Sequence, residues 1–150
     1  SARRPADWFT FDAAISSWNQ SQATVGFVDY FGTNETELPG RLLFTTSDMT
    51  ARVNRLHALG ARQYSVASYS GWGLTGPSFW ALAQGLWDAD GNATPEQLRS
   101  DFLTNAFGPA APAASRYYEQ LEHQPLWSEN LVGQMYRALQ DGFSLTSDPA

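Results

Sequence analysis

The chain has 150 residues, room for one ordinary domain, and its 43% hydrophobic content supports a real core. The formal net charge of −6 and the pI near 4.7 argue against nucleic acid as a partner, because binding to phosphates requires a basic patch. No apolar run approaches the roughly 20 residues of a membrane-spanning helix, and the lack of cysteine excludes disulfides and thiolate metal sites.

The two ends of the chain indicate a piece of a longer protein. The sequence begins at Ser1 without an initiator Met, and it reaches Ala150 without a recognisable terminal element. We therefore expect further strands outside it. The sequence does not determine the cellular compartment, and a secreted or periplasmic parent protein is one expectation.

Aromatic residues make up 14% of the chain, with six Trp. They suit an aromatic core, and they also suit sugar binding, because the C–H faces of a pyranose stack on indole and phenol rings. Composition alone favours the core, since aromatic side chains dominate core burial in any case.

The first part of the chain predicts alternating helices and strands. One helix covers 6–20, and a second begins at a cap offered by Ser47 or Asp48 and ends at Gly60. A strand over 24–31 is apolar on both faces, as expected for a covered parallel strand, and 64–69 suits a second strand. Strand, helix and strand in this order form a βαβ unit with parallel strands.

A glycine-rich turn follows the second strand and carries Trp72. Pro77 suits the first position of a helix, which predicts a helix over 78–87 that is apolar on most sides. We expect Trp87, at its end, to be buried in a packed core. A strand, a glycine-rich aromatic turn and a buried helix are typical of a β/α unit whose turn lies at a ligand-binding face.

The remainder of the chain predicts three helices. The first has a capping box at Thr94 and stops at Gly108, the second covers 113–123, and the third covers 128–140 and ends at Gly142. The predicted organisation is therefore a set of β/α units over 1–90 and a C-terminal helical extension over 91–150.

Several short motifs resemble one bacterial family. They are Asp29-Tyr30 at the end of the first strand, Leu59-Gly60, Leu86-Trp87-Asp88, Asp101-Phe102, Phe107-Gly108 with Ala110-Ala111, and Tyr117-Tyr118. Together these motifs are similar to the family called domain of unknown function 4838, which is associated with glycoside hydrolase family 163. The chain departs from the family pattern at Ala89, where Pro is common, and at Phe107, where Tyr is common.

The resemblance implies a glycosidase-like (β/α)8 TIM-type barrel that acts on glycans containing N-acetylglucosamine. This chain would supply the C-terminal section of the barrel, with the last two strands and the helices behind them. Its partners would be a carbohydrate substrate and the remainder of the parent barrel, and no cofactor is implied. The main catalytic acids would lie on earlier strands, so we expect the chain alone to be inactive.

The candidate site residues lie where the strands end. Asp29 is the candidate catalytic carboxylate, although it also suits a cap on the following loop or a pair with an Arg. Tyr30 and Trp72 share that rim as candidate sugar contacts. Tyr69 belongs to it as well, although packing suits it better. Glu35 lies on the long connection that follows the first strand, 32–47, and could reach over the end of the barrel where the site lies. A carboxylate on such a loop is more commonly exposed to solvent.

No metal site is predicted. His57 and His123 have no ligand partners at suitable spacing. The acidic run from Asp88 resembles a calcium loop, but it has Ala93 where such a loop requires Gly and Arg99 where it requires Glu.

Two other functions stay open from the sequence. One is a carbohydrate-binding protein without activity, on a degenerate barrel. The other is a helical interaction module whose aromatic residues face a partner: Phe102, Phe107, Tyr118 and Trp127.

Overall fold

The computed structural model describes residues 11–21, 24–31, 44–68, 72–88, 91–123 and 127–146. The protein is mostly helical with a small parallel sheet, so the α/β class is confirmed. The elements in chain order are α1 (Phe11–Gln20), β1 (Val25–Phe31), α2 (Thr46–Ala58), β2 (Ala61–Ser68), α3 (Trp72–Trp87), α4 (Pro95–Phe107), α5 (Ala111–His123) and α6 (Glu129–Thr146). A 3-10 turn, Gly108–Ala110, joins α4 to α5.

The two strands pair in parallel and α2 connects them, which confirms the predicted βαβ unit. Val25 pairs with Ala61 and Gly26 pairs with Gln63, so Arg62 is an extra residue in β2. Such a β-bulge shifts the alternation of a strand by one position. The shift allows Ala61 and Tyr64 to pack into the same hydrophobic cluster.

The sheet has one covered face and one open face. On the covered face, Val25 and Ala61 pack with Ile15 of α1 and Leu56 of α2. On the open face, Val28 is 73% exposed, and its partner Ser65 is exposed as well. Burial on both faces, which the apolar run of β1 predicts, is therefore not found within the described part of the chain.

Capping interactions determine where α2 begins and ends. The Asp48 backbone N–H donates to Thr45 Oγ1 at 3.2 Å, and the Thr45 N–H donates to Asp48 Oδ2 at 2.9 Å. The predicted cap at Ser47 or Asp48 is thus wrong, because Asp48 occupies the third helical position of a capping box that Thr45 opens. Gly60 follows the helix with a φ of +93°, as the predicted glycine stop requires.

Helix α3 begins earlier than Pro77 predicts. It starts at Trp72, and Pro77 lies inside it. Pro77 has no N–H for the carbonyl of Gly73, four residues earlier, and the Tyr118 hydroxyl donates to that carbonyl at 2.9 Å. Gly76 does not break the helix either. A Cβ at this position would lie 2.5 Å from Cζ of Phe102, so the glycine provides close packing against α4.

The expected burial of Trp87 is wrong. The core of α3 is formed by Ala81 and Leu82, which pack against α2 and α4, whereas Trp87 is 91% exposed. Leu86, in the same last turn of the helix, is also 45% exposed. Trp87 therefore does not stabilise a packed core in this structure.

The last three helices pack against one another around a second core. The capping box of α4 at Thr94 is confirmed. Helix α5 begins at Ala111, two residues before its predicted start, and α6 continues through Gly142 to Thr146. Gly142 does not end α6; it lies inside the helix, on the side that faces Ala113 and Ala110. The buried residues of this core are Leu103, Ala114, Tyr118, Leu121, Leu131 and Met135.

Three aromatic rings of the helical part pack together. Phe102 and Phe107 lie 6.1 Å apart, and each lies within 6.3 Å of Tyr118, which is 2% exposed. The expectation that these three rings face a partner is wrong for Tyr118, because its ring is buried between the helices of this chain. Trp127 is 45% exposed.

Candidate functional site

The carboxyl ends of the two strands lie side by side. Tyr30 pairs with Ala67 and Phe31 pairs with Ser68 at the end of the sheet. Helix α3 begins at Trp72, four residues after Ser68. Four residues of extended chain span at most about 14 Å, so the Trp72 backbone lies near this edge.

The predicted site residues are described to different extents. Of Asp29, Tyr30 and Trp72 the structure describes the backbone, and it places all three at or beside the C-terminal edge of the sheet. Tyr69 and Glu35 lie outside the described residues. The roles of all five residues in binding or catalysis stay predictions.

Tyr118 anchors the first turn of α3, which carries Trp72. Its hydroxyl donates to the Gly73 carbonyl, next to Trp72 in the chain. Desolvation by burial raises the pKa of Tyr118 to about 12, and the nearby Tyr117 and Glu122 add to the rise. The hydroxyl therefore keeps its proton and remains a donor at neutral pH.

Sequence reasoning did not identify this anchor. The signal that could have revealed it is Pro77 inside an apolar helical pattern. A proline within a helix leaves the carbonyl four residues earlier without its backbone donor, so a side chain must satisfy it from elsewhere.

A second polar group joins α2 to the C-terminal helices. Thr46 Oγ1 donates to Glu122 Oε1 at 2.7 Å, and Arg99 Nη1 lies 3.5 Å from Glu122 Oε2. The side chains of Glu122 and Arg99 are only 5% and 14% exposed. The negative charge of Glu122 lies at the N-terminus of α2, where the helix dipole favours an anion. These contacts hold the crossover helix against α4 and α5.

The described residues offer neither a cluster of metal ligands nor a membrane-spanning helix. They contain no group of three or more His, Asp or Glu side chains that could hold a metal ion. None of their helices is both long enough and apolar enough to cross a membrane.

Comparison with known proteins gives no relative for this chain. No protein-family model matches it, and neither the curated proteins nor the solved structures contain a significant match.

Proposed function

We propose that this chain supplies the last two β/α units of a glycoside hydrolase barrel, with substrate contacts at the C-terminal edge of its sheet. The observation that carries the proposal is the parallel βαβ unit with one covered face and one open face. The main catalytic acids would lie on other strands of the parent protein.

The two faces correspond to the two sides of a parallel barrel. In such a barrel the helices cover the outer face of every strand, and the inner faces of all strands meet in the interior. Here α1, α2 and α3 contribute to the clusters on the covered face. The exposure of Val28 on the other face agrees with a surface that further strands would cover.

The proposed substrate contacts are Tyr30 and Trp72. Ligands of parallel barrels collect at the C-terminal ends of the strands, and both residues belong to that edge by their backbone. An aromatic platform and a phenol hydroxyl suit a sugar ring. The resemblance described above favours a glycan that contains N-acetylglucosamine.

Asp29 has one of two roles in this proposal. It could contribute a carboxylate to the reaction, or it could hold the loop that follows β1. If Asp29 only holds the loop, the second candidate function is a carbohydrate-binding protein without hydrolytic activity.

The experiment measures turnover of a β-N-acetylglucosaminide by the full-length parent protein and by Tyr30→Phe, Trp72→Ala and Asp29→Asn. Loss of a hydrogen bond between a charged group and the sugar costs about 1.5–3 kcal/mol, which is tenfold or more in rate. We expect a loss of this size for Asp29→Asn if its carboxylate takes part in the reaction. Tyr30→Phe and Trp72→Ala should lower turnover severalfold with little change in stability, because a neutral hydrogen bond or an aromatic contact contributes about 0.5–1.5 kcal/mol.

Trp18→Phe is the matched control, because Trp18 is 57% exposed on α1 and is not part of the site. Full activity in Asp29→Asn would remove that residue from the reaction. Full activity in both aromatic variants would refute the site. Glycan binding by the parent without hydrolysis would favour the binding protein.

A further inference from the structure

Helix α5 reaches the first turns of two other helices with one of its faces. Tyr118 and Glu122 are four residues apart, so their side chains leave α5 on the same side. The Tyr118 hydroxyl donates to the carbonyl of Gly73, in the first turn of α3, at 2.9 Å. Glu122 Oε1 accepts from the hydroxyl of Thr46, the first residue of α2, at 2.7 Å. One turn of α5 thus contacts the starts of both α2 and α3.

A third hydrogen bond joins these two starts directly. Ser78 Oγ of α3 donates to the carbonyl of Phe44, two residues before α2, at 3.0 Å. The three contacts form a closed triangle between α2, α3 and α5. The side chains of Ser78, Thr46 and Tyr118 are buried, so a group that loses its partner there is not solvated by water. We therefore expect the triangle to be held as a unit.

The triangle lies toward the C-terminal edge of the sheet. Helix α2 ends three residues before β2 begins. Arg52, in the middle of α2, donates to the hydroxyl of Tyr64 in β2 at 3.2 Å, so the helix and the strand run in opposite directions. Helix α3 begins four residues after β2 ends, and the bond from Ser78 to Phe44 holds the start of α2 against α3. Both helix starts therefore lie near the strand ends.

This placement gives α5 a role in the candidate site. In a parallel barrel the residues that contact a ligand follow the C-terminal ends of the strands, so their positions depend on how the next helices begin. We propose that Tyr118 and Glu122 are positioning residues for the candidate site, because through the triangle they fix the starts of α2 and α3 and with them the backbone of Trp72. The inference rests on the proposed function only in placing the ligand at this edge.

The first test measures amide hydrogen exchange in the 150-residue chain. Tyr118→Phe removes the contact to α3, and Thr46→Val removes the hydroxyl that binds Glu122 while the ion pair between Glu122 and Arg99 stays in place. In a triangle held as a unit, either variant accelerates exchange at the starts of both α2 and α3. We expect an increase of about threefold or more at each start, as loss of one hydrogen bond gives.

Ile15→Val is the control for a general loss of stability. Ile15 is buried in α1 against the covered face of the sheet and belongs to none of the three helices. Its substitution removes a buried methyl group without changing the triangle, so exchange should show no preference for the two helix starts. Acceleration confined to α3 in Tyr118→Phe and to α2 in Thr46→Val would show two separate local contacts and would overturn the inference.

The second test separates positioning from stability in the full-length parent protein. A destabilised enzyme has fewer folded molecules, which lowers kcat and leaves KM unchanged, and this is the result expected for Ile15→Val. A displaced site binds its substrate less well, so Tyr118→Phe and Thr46→Val should raise the KM for the β-N-acetylglucosaminide about threefold or more.

Unchanged KM values in both variants of an active parent would contradict a positioning role. A parent protein without turnover would refute the hydrolase, and hydrogen exchange at the two helix starts would then decide this inference alone.

Discussion

Pro77 cannot donate the backbone hydrogen bond that the Gly73 carbonyl accepts in an unbroken helix. The Tyr118 hydroxyl replaces that donor from α5, 45 residues along the chain. One side chain thus allows α3 to begin at Trp72 instead of at the proline, and it joins the first turn of α3 to α5. At the scale of single residues, this contact links the helical part to the candidate site.

Tyr118→Phe removes this donor and keeps the ring. We expect a loss of about 1 kcal/mol in the free energy of unfolding, because that is the usual net value of one hydrogen bond. Amide hydrogen exchange should accelerate in the first turn of α3 more than in its last turns. Tyr117→Phe is the control, since the neighbouring half-buried Tyr117 contacts Tyr118 edge-to-face, with the ring centroids 5.1 Å apart. Equal exchange in both variants would show that the hydroxyl does not hold the turn.

The same residue predicts a dependence of stability on alkaline pH. The pKa of Tyr118 is about 12 in the folded chain and near 10 when unfolded. Between these values the unfolded state has released its proton and the folded state has not, so stability is complete below pH 10 and falls as the pH rises towards 12. The free energy of unfolding, measured with urea across this pH range, should fall less steeply for Tyr118→Phe. An identical slope would contradict the raised pKa.

At the scale of elements, the contact between α3 and α4 depends on a glycine. Gly76→Ala would place a Cβ 2.5 Å from Cζ of Phe102, so the Phe102 ring or a helix must shift. Overpacking of this kind costs about 1–3 kcal/mol. Urea unfolding of Gly76→Ala should show this decrease in the free energy of unfolding.

Gly73→Ala is the matched control for Gly76→Ala. It lies in the same helix, and no atom lies within 4 Å of an added Cβ. Alanine there should be neutral or stabilise the protein by up to about 1 kcal/mol, because it is the better helix former. Equal changes in stability for the two substitutions would show that helix propensity, and not packing against Phe102, determines the effect.

The polar group around Glu122 joins three helices. Glu122→Gln leaves the nearly buried guanidinium of Arg99 without its ion pair. Removing one partner of a buried pair is strongly destabilising, and we expect a loss of about 2–4 kcal/mol here. Asp141→Asn is the control, because its pair with Arg116 is 2.7 Å long but more than half exposed on the Asp141 side. An exposed pair contributes about 0–1 kcal/mol, so similar losses in both variants would contradict this role.

At the scale of the whole molecule, apolar surface stays exposed on α6. Val132, Tyr136 and Leu139 recur at helical spacing, and they are 46%, 61% and 51% exposed. Leu139 does not belong to the buried line of α6, which consists of Leu131, Met135 and Ala138. Together with the open face of the sheet, this stripe favours association.

We expect the isolated chain to associate as its concentration rises, and Leu139→Glu to shift it towards monomer in analytical ultracentrifugation. Gln140→Glu adds the same charge to the same helix without removing apolar surface, so it controls for charge alone. A monomer at all concentrations, or an equal shift in both variants, would contradict a role for the stripe.

The sequence by itself determined the elements whose signals are local. The βαβ unit follows from two short apolar runs around a helical pattern, and the ends of α2 and α4 follow from Gly60, Thr94 and Gln97. A capping box and a glycine stop involve residues within one turn of the helix, so the interactions that form them are visible in the sequence.

Only the tertiary structure decided the rest. Pro77 and Gly76 are breakers in isolation, and Tyr118 and Phe102 explain why α3 continues through them. The apolar pattern of α3 does not reveal the exposure of Trp87, because exposure depends on which elements pack beside its last turn. The candidate site is divided in the same way: alternation along β1 predicts which residues share a face, but only the packing of α1, α2 and α3 shows which face is open.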